Sequence, residues 1–209
     1  MIRILTASLL LLSIQSVQAD IQIGSVAIYS DGSVEKLIQK GEGWTLWEDE
    51  RKRLYKTANY PAWPILKYQK FPDRNDGYVQ KLAFGNPQAI KPMGEKQSVT
   101  FELTKTSNDA HLQRYWRCLY DGKGSFTLGS KKYRTLNYDC TRFILLKAVF
   151  PKPREEQRIK YSPTLGLVVD RRSVDYKGRS ERLKLERLLS PEKATAKRIG
   201  QTVYAIRND

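Results

Sequence analysis

Short chain-breaking stretches recur along this sequence at intervals that suit β-strands. They are Asp31-Gly32, "KGEG" at 40–43, "GNPQAIKPMG" at 85–94, "DGKG" at 121–124 and "KGRS" at 177–180. The segments between them are rich in β-branched and aromatic residues, and periodicity of the helical kind is lacking over most of the chain. This spacing predicts an all-β fold of about ten mainly antiparallel strands, arranged as a barrel or a sandwich.

Three stretches fix the expected order of strands and loops. Arg114 to Tyr120 is predicted to be a strand that ends at the "DGKG" turn, and "PKPREEQ" at 151–157 is predicted to be a polar loop. The segment at 59–72 contains three prolines, which indicates a loop or an edge strand. In "YSPTLG", Pro163 and Gly166 suit a bend that leads into the last hairpin.

The end of the chain carries two further patterns. In "ERLKLERLL", Leu183 and Leu185 alternate with charged residues, which predicts a strand with one buried and one solvated face. Residues 191–207 are predicted to form a short helix, because Ser190 precedes them as an N-cap and Pro191 occupies the first helical position. Its apolar face would consist of Ala196, Ile199, Val203 and Ile206, although Gly200 leaves a strand open as the alternative.

The first residues resemble an export signal. Arg3 is followed by an apolar run from Ile4 to Ile14 and by small residues before Asp20. The run is too short for a membrane anchor, so residues 1–19 are predicted to be a signal peptide and 20–209 a single exported domain. The expected location is the periplasm or the exterior of the cell.

The two cysteines, Cys118 and Cys140, admit a zinc site, a thiol catalyst or a disulfide. Export favours the disulfide, because disulfides persist outside the cytoplasm and an even number of cysteines in an exported chain indicates a bridge. A zinc site would need three or four ligands, and the sequence offers one histidine, His111. We therefore predict a Cys118–Cys140 disulfide and no metal or cofactor.

The charge of the chain points to an anionic partner. Lysine and arginine exceed the acidic residues by 15, and the excess is concentrated in the second half. The basic residues around the last hairpin are predicted to form a binding face for an envelope protein, an anionic glycan or a lipid headgroup, with a merely solvated surface as the alternative. Nucleic acid is an unlikely partner outside the cytoplasm. The residues of this predicted face are Arg171, Arg172, Lys177, Arg179, Arg182 and Lys184.

Two other functional classes remain open. Exposed aromatic side chains at Trp44, Trp47 or Trp63 would provide a platform on which sugars stack, although tryptophans in small β domains more often lie in the core. A carboxylate hydrolase would use residues near Glu48 and Asp49, which are more simply read as surface ion pairs. Since no nucleophile elbow or zinc-protease motif is present, we predict a non-catalytic binding or structural module of the cell envelope.

Two N-terminal segments, "YSDGSVEKLIQKGEGWTLWEDERKRLY" and "NYPAWPIL", and a pattern in the second half resemble a family of exported bacterial proteins of unknown function, over nearly the whole chain after residue 19. The matching pattern is Trp-x-Cys, then Gly-x-x-x-aromatic-x-Thr, then the second cysteine, then Tyr-Ser-Pro-x-x-Gly-x-Val-Val. The positions that carry it are Trp116, Cys118, Gly129, Tyr133, Thr135, Cys140, Tyr161, Pro163 and Gly166. The resemblance implies a β-rich exported fold and supports the disulfide, but it implies no activity.

Overall fold

The computed structural model of the chain describes residues 21–59, 65–70, 76–90, 96–107, 110–146 and 150–208. The predicted signal peptide, 1–19, and one of the platform tryptophans, Trp63, lie outside the described residues.

In the part of the chain that the structure describes, twelve antiparallel strands form a closed barrel in which each strand pairs with the next one along the chain. The barrel closes where β1 pairs with β12, with Val26 opposite Leu189. The predicted all-β class is therefore confirmed, and the architecture is a barrel and not a sandwich. The strands are β1 Val26–Tyr29, β2 Val34–Gly41, β3 Trp44–Asp49, β4 Leu54–Ala58, β5 Lys67–Gln69, β6 Gly77–Gly85, β7 Ser98–Ser107, β8 Ala110–Leu128, β9 Lys131–Leu146, β10 Phe150–Ser162, β11 Leu167–Asp175 and β12 Ser180–Leu189.

The predicted turn at 121–124 is wrong, because β8 runs through it without a break. A β-bulge between Tyr120 and Gly122 absorbs the glycine, whose φ of 96° is a left-handed angle that other residues resist. The turn to β9 comes later, at Gly129 and Ser130. The polar loop predicted at 151–157 is wrong as well, since these residues belong to β10. A bulge between Pro153 and Glu155 lies at the prolines of this strand, and bulges are positions where strands tolerate proline.

The helix α1 (Ala196–Asn208) packs on the outside of the barrel. Its residues Ile199, Val203 and Ile206 cover the outward side chains of Val26 and Ile28 on β1. This contact explains why all of β1 is buried: one face meets the barrel interior and the other meets the helix. No helix in the described residues is long and apolar enough to span a membrane.

The start of this helix differs from the prediction. Pro191 opens a separate turn of 3-10 helix, and the Ser190 side chain makes no capping hydrogen bond. α1 itself begins at Ala196, where the Thr195 hydroxyl accepts a hydrogen bond of 3.3 Å from the Arg198 amide.

Two apolar clusters fill part of the barrel interior. One contains Phe101, Leu103, Trp116, Tyr120, Tyr138 and both cysteines, and the other contains Leu37, Trp47, Phe126, Val169 and Leu185. The predicted disulfide is present. Cys118 and Cys140 lie directly opposite each other on β8 and β9 and are fully buried. The described residues contain no group of three metal-ligating side chains.

Candidate functional site in the barrel lumen

A cavity of about 460 Å³ occupies the part of the lumen that the apolar clusters leave open. This volume lies within the range of small-molecule sites in proteins. Side chains from most of the strands line it, because every second residue of a barrel strand points inward. Aromatic side chains form much of this lining, and polar and charged groups lie among them. The aromatic residues are Tyr29, Trp47, Tyr55, Tyr78, Trp116 and Tyr161.

One carboxyl group of the lumen has strongly altered acidity. The Tyr29 hydroxyl donates a hydrogen bond of 3.2 Å to Oε2 of Glu35. Burial raises the pKa of Glu35 to about 7, although the bond from Tyr29 and the charge of Arg171 oppose the rise. Glu35 is therefore protonated in a large fraction of the molecules near neutral pH.

A second carboxylate, Asp49, is held by four groups. The amides of Arg51 and Arg53 each donate to Oδ1 at 2.9 Å, and Oδ2 accepts from the Arg53 guanidinium and from the Tyr55 hydroxyl. Burial opposes ionisation of Asp49, but these hydrogen bonds outweigh it and hold the pKa below its ordinary value. Because its acceptor sites are used within the turn between β3 and β4, Asp49 has a structural role.

Three basic side chains on neighbouring strands share the inward face of the barrel by their register, and one of them, Arg114, lines the cavity. We call Lys105 on β7, Arg114 on β8 and Arg142 on β9 the basic wall. Arg142 forms a salt bridge of 2.9 Å with Glu155, and Nη1 of Arg114 lies 3.4 Å from Oε1 of Gln80. Burial, followed by the charge of Arg142, lowers the pKa of Arg114. Burial and the charges of Arg114 and Arg142 lower the pKa of Lys105 in the same way.

Two further lumen donors lack hydrogen-bond partners among the described residues. Arg171 lines the cavity and interacts with Glu35 and Tyr78 only through its charge. Nε1 of Trp116 is buried and has no acceptor. Buried donors are nearly always satisfied in folded proteins, so an unpaired indole in the lining of a cavity points to a missing acceptor.

The structure divides the predicted basic face between two surfaces. Arg171 lies in the lumen, because its register partners Ile159 and Leu183 also point inward. The other five residues lie on the outer side of β11 and β12 or in the turn between these strands. Three of them form salt bridges: Arg179 with Asp175, Arg182 with Asp170, and Lys184 with Glu186. Arg172 and Lys177 are exposed, and no salt bridge of theirs is seen in the described residues.

Sequence reasoning missed one member of this outer surface. Arg158 on β10 stands opposite Arg172, which in turn stands opposite Arg182, so that three arginines form a row across adjacent strands. The side chains of Arg158 and Arg182 are 82% and 57% exposed. The alternation of Arg158 with the buried Ile159 is the signal that would have placed it outward.

The described tryptophans of the predicted aromatic platform lie on opposite faces of β3. Trp47 is buried, lines the lumen and donates from Nε1 to the Thr45 hydroxyl at 3.0 Å. Trp44, at the alternate position, has Nζ of Lys56 3.7 Å from its ring centroid. The two rings therefore do not form one surface.

No protein family model matches the chain, and no curated protein matches it. Among solved structures, the chain is similar to the hypothetical lipoprotein YmcC from Escherichia coli (K12), with a TM-score of 0.49 and 12% sequence identity. The alignment covers 86% of this chain and 89% of that chain. A likeness at this level carries no argument about function.

Proposed function

We propose that this protein is an exported, non-catalytic binding module of the cell envelope that holds a small polar molecule in the barrel lumen. The observation that carries the proposal is the cavity itself, with its aromatic walls and its unpaired buried donor at Trp116. Ligand sites commonly combine apolar and aromatic walls with a few polar groups that fix orientation. Aromatic rings and side-chain amides also suit a saccharide, so this proposal moves the sugar-binding alternative from the outer surface to the lumen.

The state of the candidate carboxylates supports a non-catalytic role. Asp49 is occupied by donors from its own turn, and Glu48, on the outward face of β3, forms a salt bridge of 2.8 Å with Lys52. A glycoside hydrolase needs two carboxyl groups that are free to act on opposite sides of one bond. Glu35 has a raised pKa, and its side-chain hydrogen bond joins it to Tyr29 and not to a second carboxyl group.

The outer arginine row supports a second interaction, with an anionic envelope partner. Arg158, Arg172 and Arg182 lie side by side, and their side chains reach solvent. An acidic protein surface, an anionic glycan or a phosphate-bearing lipid headgroup would fit this row. Salt bridges already occupy part of the hairpin charge, so the lumen is the better supported of the two sites.

Native mass spectrometry of the protein isolated from the producing cell's envelope tests the lumen site. The wild-type protein should carry a bound mass of small-molecule size at one equivalent. Thr57 lines the cavity, so Thr57→Phe should fill the lumen and remove the bound mass. Lys56→Phe, on the opposite face of β4, should retain it. Wild-type protein without any bound mass, or an equal bound mass in the Thr57→Phe variant, would contradict the proposal.

A further inference from the structure

The basic wall carries more positive charge than the groups around it neutralise. Its three cations, Lys105, Arg114 and Arg142, are all partly buried. Among the described residues, Glu155 is the carboxylate whose charge acts on Arg114, and it is already bound to Arg142. Lys105 has the face of the Tyr78 ring, 4.0 Å from its Nζ to the centroid, and no carboxylate partner in the described residues. Cations that are crowded in a partly desolvated site attract an anion strongly.

Apart from Glu155 on β10, the acidic side chains of the lumen lie on the opposite side of the barrel from the basic wall. They lie on β1 to β3, on β12, or in the adjoining turns, and most of them have local partners. Asp31 accepts from the Ser33 amide, and Glu50 accepts from the Val34 amide. The cavity therefore has an acidic side, where Glu35 takes up a proton, and a basic side, where Lys105 and Arg114 repel each other.

A donor without an acceptor lies beside the basic wall. Trp116 is two residues from Arg114 on β8 and stands opposite Arg142 on β9, so all three share the inward face. Its buried Nε1 can only donate a hydrogen bond, and an anion oxygen is an acceptor. The unpaired indole and the excess positive charge thus call for the same kind of ligand group.

We propose that the basic wall, together with Nε1 of Trp116, is an anion subsite that takes the carboxylate or phosphate group of the small molecule held in the lumen. This inference rests on the proposed lumen function and names the chemical class of its ligand. The guanidinium of Arg114 binds the anion, Lys105 contributes a second charge, and the rest of the ligand lies in the aromatic part of the cavity.

The first experiment uses inorganic phosphate as the probe and the midpoint of thermal unfolding as the readout. Phosphate should raise the melting temperature of the wild-type protein more than chloride at equal ionic strength, because a ligand of the folded state stabilises it. Arg114→Gln and, separately, Lys105→Gln should lose this difference while keeping the general salt effect. Arg117→Gln, on the outward face of the same strand, should retain it. Equal responses of wild type and both lumen variants would overturn the subsite.

The second experiment titrates glucuronic acid, glucose 6-phosphate and glucose while tryptophan fluorescence is recorded. At least one acidic probe should bind at least about tenfold more tightly than glucose, and Arg114→Gln should remove this preference. The acidic probe that binds more tightly distinguishes a carboxylate from a phosphate ligand. Glucose binding as tightly as both acidic probes would overturn the anion subsite but leave the lumen function standing. Absence of binding by all three probes, together with no bound mass in the envelope-derived protein, would overturn both.

Discussion

The hydroxyl of Tyr29 on β1 donates a 3.2 Å hydrogen bond to the Glu35 carboxyl group on β2, inside the barrel. Burial outweighs this bond and raises the pKa of Glu35 from 4.5 to about 7. Besides Tyr29, the charged groups that act on Glu35 are Arg171, Asp49 and Asp31. The charge of the lumen therefore changes near neutral pH.

Glu35→Gln is expected to change how stability depends on pH. The folded protein keeps the Glu35 proton up to about pH 7, whereas the unfolded chain releases it near 4.5, so wild-type stability falls as the pH rises through this window. The variant lacks this loss. Urea unfolding at both ends of this pH window measures the effect. From the lower to the higher pH, the free energy of unfolding of the variant relative to the wild type should increase by up to about 3 kcal/mol. A constant difference between the two proteins would contradict the assigned acidity.

Gly166→Val is expected to lower the melting temperature. Gly166 has a φ of 66°, and its added Cβ would meet nothing within 4 Å, so the cost is one of backbone conformation alone, about 1–2 kcal/mol. Gly200→Ala is the control: the residue lies within α1, also in open space, and alanine should stabilise the helix by up to about 1 kcal/mol. If Gly166→Val kept full stability and yet abolished ligand binding, the bend would be a ligand loop.

The two cysteines should be unreactive in the denatured protein until a reductant is added. They form a buried bridge across β8 and β9 with a sequence separation of 22 residues. Loss of a bridge of this span should lower the free energy of unfolding by about 3 kcal/mol. Unfolding in urea with and without reductant measures this effect. Two reactive thiols in the unreduced protein would refute the disulfide.

Charge reversal on the outer hairpin should separate binding from stability. An exposed charge by itself contributes little to folding, but Nε and Nη2 of Arg182 donate hydrogen bonds of 3.0 and 2.8 Å to the nearly buried carboxylate of Asp170. Arg182→Glu should therefore destabilise the protein. Arg172→Glu should leave the melting temperature unchanged or raise it. Arg172 lies between Arg158 and Arg182, so the change replaces repulsion between like charges with attraction.

Elution from a heparin column completes this test. Arg172→Glu should elute at a lower salt concentration than the wild type, because it reverses the charge at the centre of the arginine row. Elution at the wild-type salt concentration would show that the row is only a solvated surface.

The sequence predicted those parts of the fold that depend on local chemistry. The Asp31-Gly32 turn, the inward leucines Leu183 and Leu185 and the terminal helix all follow from turn residues or periodicity. The "DGKG" stretch was wrongly predicted to be a turn, because a glycine at positive φ occurs in β-bulges as well as in turns. The sequence left a barrel and a sandwich open, since the β1–β12 pairing that closes the barrel joins strands far apart in the chain and leaves no local signal.

The lumen was harder to predict than the fold. A polar residue at every second position of a strand is equally compatible with bulk solvent and with a wet lumen, so Gln80 and Arg114 gave no distinct pattern. Arg171 was grouped with its neighbours in the sequence, although it shares the parity of the buried Val169 and therefore points inward. Only the three-dimensional pairing brings Lys105, Arg114 and Arg142 together.

The indole signals in a ¹H–¹⁵N NMR titration test the central claim most directly. Trp116 and Trp47 line the lumen, while Trp44 stacks with Lys56 on the outer face of the barrel, so the three signals report on different surfaces. With the acidic probe that binds more tightly, the Trp116 indole signal should move downfield as its Nε1–H gains an acceptor, and the Trp44 signal should stay in place. Saturable shifts of the Trp44 signal alone, with Trp116 and Trp47 unchanged, would show that the ligand binds outside the barrel and would contradict the account.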